Sequence, residues 1–254
     1  MLNPRVIPCL LLKNDGLVKT LKFSKPKYVG DPINVIRIFN DKEVDELIVL
    51  DIDASRDGRD PNYALIESFA GECFMPLCYG GGIRSVQQAR QLFKLGIEKV
   101  CLQTAALDDL SIVTRIADNF GCQSVVASID VKKNWLGKYQ LYRSADGKKI
   151  KQPWLQYLQN IVSAGAGEVI VNSVDLDGTM AGMNLDLIRR VASVVDVPFI
   201  AMGGLGSLLD IKAAIEAGAS AVSAGAFFVF QDPHRAVLIT YPDYRELRKL
   251  LGQR

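Results

Sequence analysis

The chain repeats itself at half its length, and this constrains its fold more than any other feature. Cys9-Leu-Leu-Leu-Lys13 is echoed by Ser128-Ile-Asp-Val-Lys132. Leu50-Asp-Ile-Asp-Ala54 is echoed by Val174-Asp-Leu-Asp-Gly178, and Gly81-Gly-Ile-Arg-Ser85 by Gly203-Gly-Leu-Gly-Ser207. The offsets are 119 (9 to 128), 124 (51 to 175) and 122 (81 to 203). A near-constant offset over three motifs predicts two similar halves, about 1–120 and 121–254, within one domain spanning 1–254.

Short apolar runs supply the strands of those halves. They are Val6–Leu12, Leu47–Asp51, Pro76–Tyr79, Lys99–Thr104, Ser124–Asp130, Glu168–Ser173, Pro198–Gly203 and Ser220–Gly225. Runs this short and rich in Val, Ile and Leu suit strands buried on both faces. Helical patterns lie between them at Pro32–Glu43, Pro61–Ala70, Ser85–Leu95, Asp108–Phe120, Pro153–Ala164, Asn184–Val195 and Ser207–Ala217, with a last one at Pro242–Leu251. Several open on Pro, Ser, Asn or Asp and close on Gly, as helix ends do. Right-handed crossovers make such a string a parallel sheet. Eight strand–helix units in 254 residues predict an α/β protein with a closed (β/α)8 TIM barrel. The rival is an open doubly wound sheet. Two four-stranded halves that close on each other favour the barrel.

Composition excludes several functions. Charges total 30 positive and 28 negative, so no global field argues for nucleic acid or a membrane surface. No apolar run reaches the ~18 residues of a membrane span, and Met1–Lys13 lacks the pattern of a secretory signal, so a cytoplasmic location is expected. Five cysteines without a CxxC pair predict free thiols, and no metal or other cofactor is expected. The one histidine, His234, follows Pro233 at an expected helix start and reads as a surface residue.

Barrels keep their active sites at the C-terminal ends of the strands. Two long polar segments lie there, Asn14–Asp31 after the first strand and Lys132–Gln152 after the fifth, and both read as lids or substrate loops. The turns Gly80-Gly-Gly-Ile-Arg-Ser85 and Gly203-Gly-Leu-Gly-Ser207 follow the third and seventh strands. Glycine lets a ligand approach the backbone closely, and the next helix offers free N–H groups. Gly81, Gly82, Gly203 and Gly204 therefore read as phosphate-binding, with Gln103 and Thr104, Gly178, and Ala224 and Gly225 beside them. A substrate with a phosphate at each end follows. Asp51, Asp53, Asp130, Asp175 and Asp177 share this rim, where carboxylates suit general acid–base work. Helix capping or loop pinning competes with that role at Asp51, Asp53 and Asp175. Asp130 ends a buried strand above the barrel axis, which favours catalysis.

At the opposite end, Arg5, Glu46, Lys99 and Glu168 stand at strand starts. Charges there must be paired or cost several kcal/mol. Two of each sign can form a neutral ring that closes the floor, or a gate for a small neutral molecule.

These residues resemble the cyclase subunit of imidazole glycerol phosphate synthase. The resemblance runs from Arg5 to Phe228 and rests on Gly-Asp-Pro (30–32), Leu-Asp-Ile (50–52), Gly-Gly-Gly-Ile (80–83), Glu-Lys-Val (98–100), Thr-Ala-Ala (104–106), Ile-Asp-Val-Lys (129–132) and Asp-Gly-Thr (177–179). It implies a glutaminase partner docked on the floor as a heterodimer, with Glu98 facing it. Ammonia then passes a gate of Arg5, Glu46, Lys99 and Glu168 and attacks a bis-phosphorylated substrate, whereupon a ring closes and a carbon–nitrogen bond breaks. It also implies Asp130 as general base, Lys19 as a loop lysine over substrate, and Asp177 beside the phosphate turns.

One departure bears on the chemistry. The family's second catalytic aspartate falls on Leu11, which the internal repeat also pairs with Asp130. Gln103, Met202 and Ala226 replace the usual Asn or Ser near substrate. With Pro-Cys-Leu-Leu-Leu-Lys (8–13) and Cys-Phe-Met-Pro-Leu-Cys-Tyr (73–79), this looks like a paralogous, glycosyl amidation-associated branch. That likeness implies ammonia transfer to a phosphate-bearing nucleotide sugar in surface polysaccharide synthesis. The alternatives are the authentic histidine-pathway cyclase and a non-catalytic barrel that activates a glutaminase.

Overall fold

The structure is a computed structural model that describes residues 4–231 and 234–252. The first half contains β1 (Arg5–Lys13), β2 (Gly16–Leu21), β3 (Ser24–Gly30), α1 (Pro32–Asp41), β4 (Leu47–Asp51), α2 (Tyr63–Ala70), β5 (Leu77–Gly80), α3 (Val86–Lys94), β6 (Lys99–Leu102), α4 (Thr104–Asp108) and α5 (Ser111–Phe120). The second contains β7 (Val125–Lys133), β8 (Tyr139–Arg143), β9 (Lys148–Ile150), α6 (Trp154–Ser163), β10 (Glu168–Ser173), α7 (Leu185–Ala192), β11 (Phe199–Met202), α8 (Leu208–Glu216), β12 (Ala221–Ala224), α9 (Ala226–Val229), β13 (Phe230–Gln231), β14 (Ala236–Val237) and α10 (Tyr244–Leu250). Parallel pairing runs β1-β4-β5-β6-β7-β10-β11-β12, and β12 returns to β1. The sheet is therefore the closed (β/α)8 barrel.

Two apolar clusters hold it. One fills the space between strands and helices, with Phe39, Phe69, Tyr79 and Phe228 among its largest fully buried side chains. The other occupies the barrel interior and includes Ile7, Ile48, Val126, Ile170 and Ile200 together with the thiols of Cys9, Cys78 and Cys101. All five cysteines are free. No helix among the described residues is long and apolar enough to cross a membrane.

Matching local chemistry appears in both halves. Ser85 caps α3 by accepting from the Gln88 N–H, and Ser207 caps α8 by accepting from Asp210, which answers with a capping box. Short helices α4 and α9 follow β6 and β12.

Several expectations need correction. The segments 14–31 and 132–152 contain antiparallel hairpins, not unstructured loops: β2 and β3 extend β1, and β8 and β9 extend β7. Asn14 and Asp15 both take positive φ, as a two-residue type I′ turn demands. Gly137 and Gly147 turn the second hairpin. Because β7 continues to Lys133 to pair with β8, Asp130 lies within the strand and does not end it. The expected helix Asp108–Phe120 is broken at Asp109 and Leu110 into α4 and α5, because the Asp109 carboxylate turns to cap Ser111. The expected helix start at Pro233 lies outside the described residues, and His234 sits exposed in the turn between β13 and β14.

Candidate active site

A cavity of about 270 Å³ opens at the C-terminal end of the barrel. Its walls include Asp130, Asp177 and Asn172, the Gly80–Gly82 turn, Gln103, Thr104 and Leu11. Two hairpins roof it. Phe23, in the β2–β3 turn, also lines the cavity and meets Tyr142 of β8 with ring centroids 6.1 Å apart. Lys22 and Phe23 both hold positive φ, which is costly for such side chains. The contact with Tyr142 and the Lys22 N–H bond to the Asp177 carbonyl (2.9 Å) hold that turn in place.

Asp130 is 4% exposed. It accepts a hydrogen bond from Gln103 Nε2. Burial pushes its carboxyl up to about 7, and the neighbouring Asp177 pushes the same way. The hydrogen bond from Gln103 pulls it down, helped by the polar Asn172 and Ser144 side chains nearby. A carboxyl poised near neutrality both takes and returns protons at physiological pH. Asp177 is also buried, accepting from Thr20 Oγ1 at 3.3 Å with Lys19 Nζ 3.8 Å away.

The other rim aspartates are committed to structure. Asp51 Oδ1 accepts from the Asp53 and Ala54 N–H groups, and Arg59 reaches it from outside. Asp53 is held by Lys13 (2.6 Å) and Arg56 (3.0 Å). Asp175 accepts from the Lys133 N–H at 2.7 Å, tying the second hairpin to the rim. All three pin loops, and Asp51 and Asp53 also line the cavity.

The two glycine turns differ in access. Gly81 and Gly82 line the cavity with Thr104. Gly203, Gly204, Gly178, Ala224 and Gly225 do not line it, and the β2–β3 hairpin packs against Gly178 and Gly225. A Cβ at Gly178 would sit 2.2 Å from the Thr20 carbonyl, and one at Gly225 2.6 Å from Lys19 Nζ. Packing alone demands several of these glycines: a Cβ at Gly81 would meet the Asp51 carbonyl at 2.4 Å, and one at Gly204 the Gly182 carbonyl at 2.1 Å. Lys19 lies in a strand, not a free loop, and is 3% exposed. Its Nζ, Asn172 Oδ1 and Ser223 Oγ are buried without a hydrogen-bond partner among the described residues. Gln103, expected at substrate, has both ends of its amide engaged by protein.

Below the cavity the interior is apolar down to the floor. There Arg5 bonds Glu46 and Glu168, and Lys99 Nζ bonds the same two carboxylates at 2.9 Å each. The four charges form a closed neutral ring, its carboxylates buried and its cations half-buried. Glu98 lies exposed beside Lys99. Sequence reasoning missed Phe74. This residue is 86% exposed, its backbone N–H donates to Asn40 Oδ1 at 3.1 Å, and it lies two residues before Pro76, whose carbonyl accepts from the N–H of Leu47, next to Glu46.

A family model described as "Histidine biosynthesis protein" matches residues 5–233. A Pseudomonas aeruginosa protein named "Putative imidazole glycerol phosphate synthase subunit hisF2" is 55% identical over 248 residues, 97% of this chain and 99% of its own length. A HisF protein of Leptospira borgpetersenii, similarly named, is 46% identical over 245 residues, 96% of each chain. The imidazole glycerol phosphate synthase subunit HisF of Exiguobacterium sibiricum is 36% identical over 252 residues, 99% of this chain and 98% of its own. None of these names refers to sugars or polysaccharides, so the expectation of sugar amidation finds no support there.

Proposed function

The chain belongs to the HisF-type family of imidazole glycerol phosphate synthase subunits, and on that premise we propose that it performs the ammonia-dependent ring closure of that synthase with a docked glutaminase. The observation that carries this reading is the placement of two polar sites at opposite ends of one barrel, a buried carboxyl, Asp130, at the top and a ring of four charges at the bottom, with an apolar interior between them. Ammonia released on the floor passes the ring when Lys99 swings aside, and the apolar interior keeps it neutral. It meets the substrate beneath the two hairpins. One phosphate lies against Gly81, Gly82 and Thr104. The other lies in the second half, where the buried Lys19 ammonium has the Asp177 carboxylate 3.8 Å away but no hydrogen bond, which a phosphate oxygen supplies.

Asp130 supplies the proton transfers. As carboxylate it takes a proton from the attacking nitrogen while the new carbon–nitrogen bond forms. As acid it gives the proton to the nitrogen that leaves when the old carbon–nitrogen bond breaks. A carboxyl near pH 7 can do both in turn, which offsets Leu11 in the position of a second acid. Complementation of a histidine auxotroph lacking its cyclase subunit, with the cognate glutaminase co-expressed, tests the reading. Growth is expected, and failure with a well-expressed, folded pair rejects it.

A second reading rests on Leu11, which lines the cavity and cannot transfer a proton. The barrel then delivers ammonia to a different phosphate-bearing acceptor, such as a nucleotide sugar, in a step that needs one acid–base group. Leu11→Asp separates the two. If the chain is a cyclase, the added carboxyl raises ammonia-dependent ring closure about a hundredfold or more, within the ~10²–10⁴ span of general acid catalysis. If it is not, neither protein closes the ring. Activation of the glutaminase with no product from any such acceptor would leave the non-catalytic barrel.

The glutaminase docks on the floor around Glu98 and Phe74. An exposed aromatic on a backbone pinned by Asn40 has the character of an interface anchor. Phe74→Ala is expected to weaken the heterodimer by about 2 kcal/mol, roughly thirtyfold in Kd, by titration calorimetry. Unchanged affinity places the partner elsewhere.

A further inference from the structure

Gln103 occupies the N-cap position of α4 yet makes no capping bond. Its side chain turns into the cavity instead. There Oε1 accepts from both the Ser144 N–H (3.2 Å) and the Ser144 hydroxyl, while Nε2 donates to Asp130. Ser144 opens the turn between β8 and β9, so one amide joins the roof hairpin to the buried carboxyl. An amide has one accepting end and one donating end. Two donors from Ser144 fix which end faces up, and that fixes which end faces Asp130.

We infer that Gln103 is a positioning residue through which closure of the β8–β9 hairpin sets the protonation of Asp130. With the hairpin down, Ser144 holds Oε1 and Nε2 stabilises the carboxylate. With the hairpin lifted, the amide is free to rotate and offer Oε1, which only a protonated carboxyl satisfies. Closure thus readies the base when the site is covered. This rests on the proposed function only in taking Asp130 as the acid–base group.

The other groups that face Asp130 stay with the barrel and do not move with this turn, apart from those on β8. Asp177 lies after β10 and raises the Asp130 carboxyl, with Lys19 of β2 beside it. Cys9 of β1 stays a thiol, since burial lifts it to about 12. Asn172 of β10 lowers Asp130. Tyr142 of β8 is raised by burial and by Asp130, and Lys132 Nζ sits over its ring at 5.1 Å. The hairpin itself is fastened by Arg143, the neighbour of Ser144, to Asp108 at the far end of α4 at 2.8 Å.

The test reads titration and hairpin opening, not turnover. Asp130 is followed by carboxyl-carbon NMR in protein labelled at aspartate, its signal assigned by its loss in Asp130→Asn. Ser144→Ala and Gln103→Leu should both raise the midpoint of Asp130 by about one pH unit, because a donor to the carboxylate is loosened or lost. Gln103→Leu should also speed amide exchange at residues 143–148 about tenfold. Gln103→Glu should leave that exchange slow, since Ser144 keeps its acceptor, yet still raise the midpoint, because two carboxyls then share a proton. A residue that merely packs would move none of these midpoints. An unchanged midpoint in folded Ser144→Ala and Gln103→Leu overturns the coupling. Shifted midpoints in a chain that closes no ring keep the coupling and reject the proposed reaction.

Discussion

Asp130→Asn is expected to lower ammonia-dependent and glutamine-dependent turnover alike by ~10²–10⁴-fold and, in the same protein, to raise stability above pH 7. The two effects share one cause. The folded protein holds the Asp130 proton up to about pH 7, whereas an unfolded chain releases it near 3.9. Between those values the folded state binds more protons than the unfolded state, so stability falls as pH rises. The loss amounts to about 4 kcal/mol once pH exceeds 7, from about three units at ~1.4 kcal/mol each. Asparagine does not titrate and can still accept from Gln103 through its oxygen. The variant should therefore gain most over the wild type at pH 8 and little at pH 4, measured by urea denaturation at both. Wild-type turnover in Asp130→Asn would remove this group from the chemistry, and equal stability gains at both pH values would remove burial as the cause of its raised pKa.

The second large effect concerns the floor. Glu46 accepts from Arg5 and from Lys99, so Glu46→Leu leaves two cations facing Glu168 alone. Removing one partner of a buried pair costs ~3–5 kcal/mol, and the partial exposure of both cations places this case at the lower end. Replacing all four charges together, with Arg5→Met, Glu46→Leu, Lys99→Met and Glu168→Leu, should be neutral or stabilising by ~1–4 kcal/mol, because the desolvation of every charge is recovered. Urea denaturation of the single and quadruple variants checks both signs. A ring that an apolar plug can replace without loss of stability is not there for stability. The quadruple variant should then lose glutamine-dependent turnover while it remains folded. If it turns over glutamine-derived ammonia at the wild-type rate, the ring is not the passage.

The amino-acid sequence by itself determined the barrel, the order of strands and helices, the Ser85 and Ser207 caps and the identity of the floor charges. Each is written in local periodicity or in strand position: short apolar runs alternating with helical patterns suit the doubly buried strands of a parallel sheet, and residues at strand starts must meet at one end of a closed barrel. The tertiary structure alone decided what the rim side chains do. Asp51, Asp53 and Asp175 differ from Asp130 only in the partners that reach them, and several of those partners come from distant strands. The same holds for Lys19, drawn into the second half by its hairpin, and for Gln103, whose amide is split between Ser144 and Asp130. Both hairpins escaped the sequence reading because their outer strands, β3 and β9, are polar and mostly exposed and lack the apolar alternation that marks a strand. They are held by pairing to strands already in the barrel, a condition that exists only once the barrel has closed.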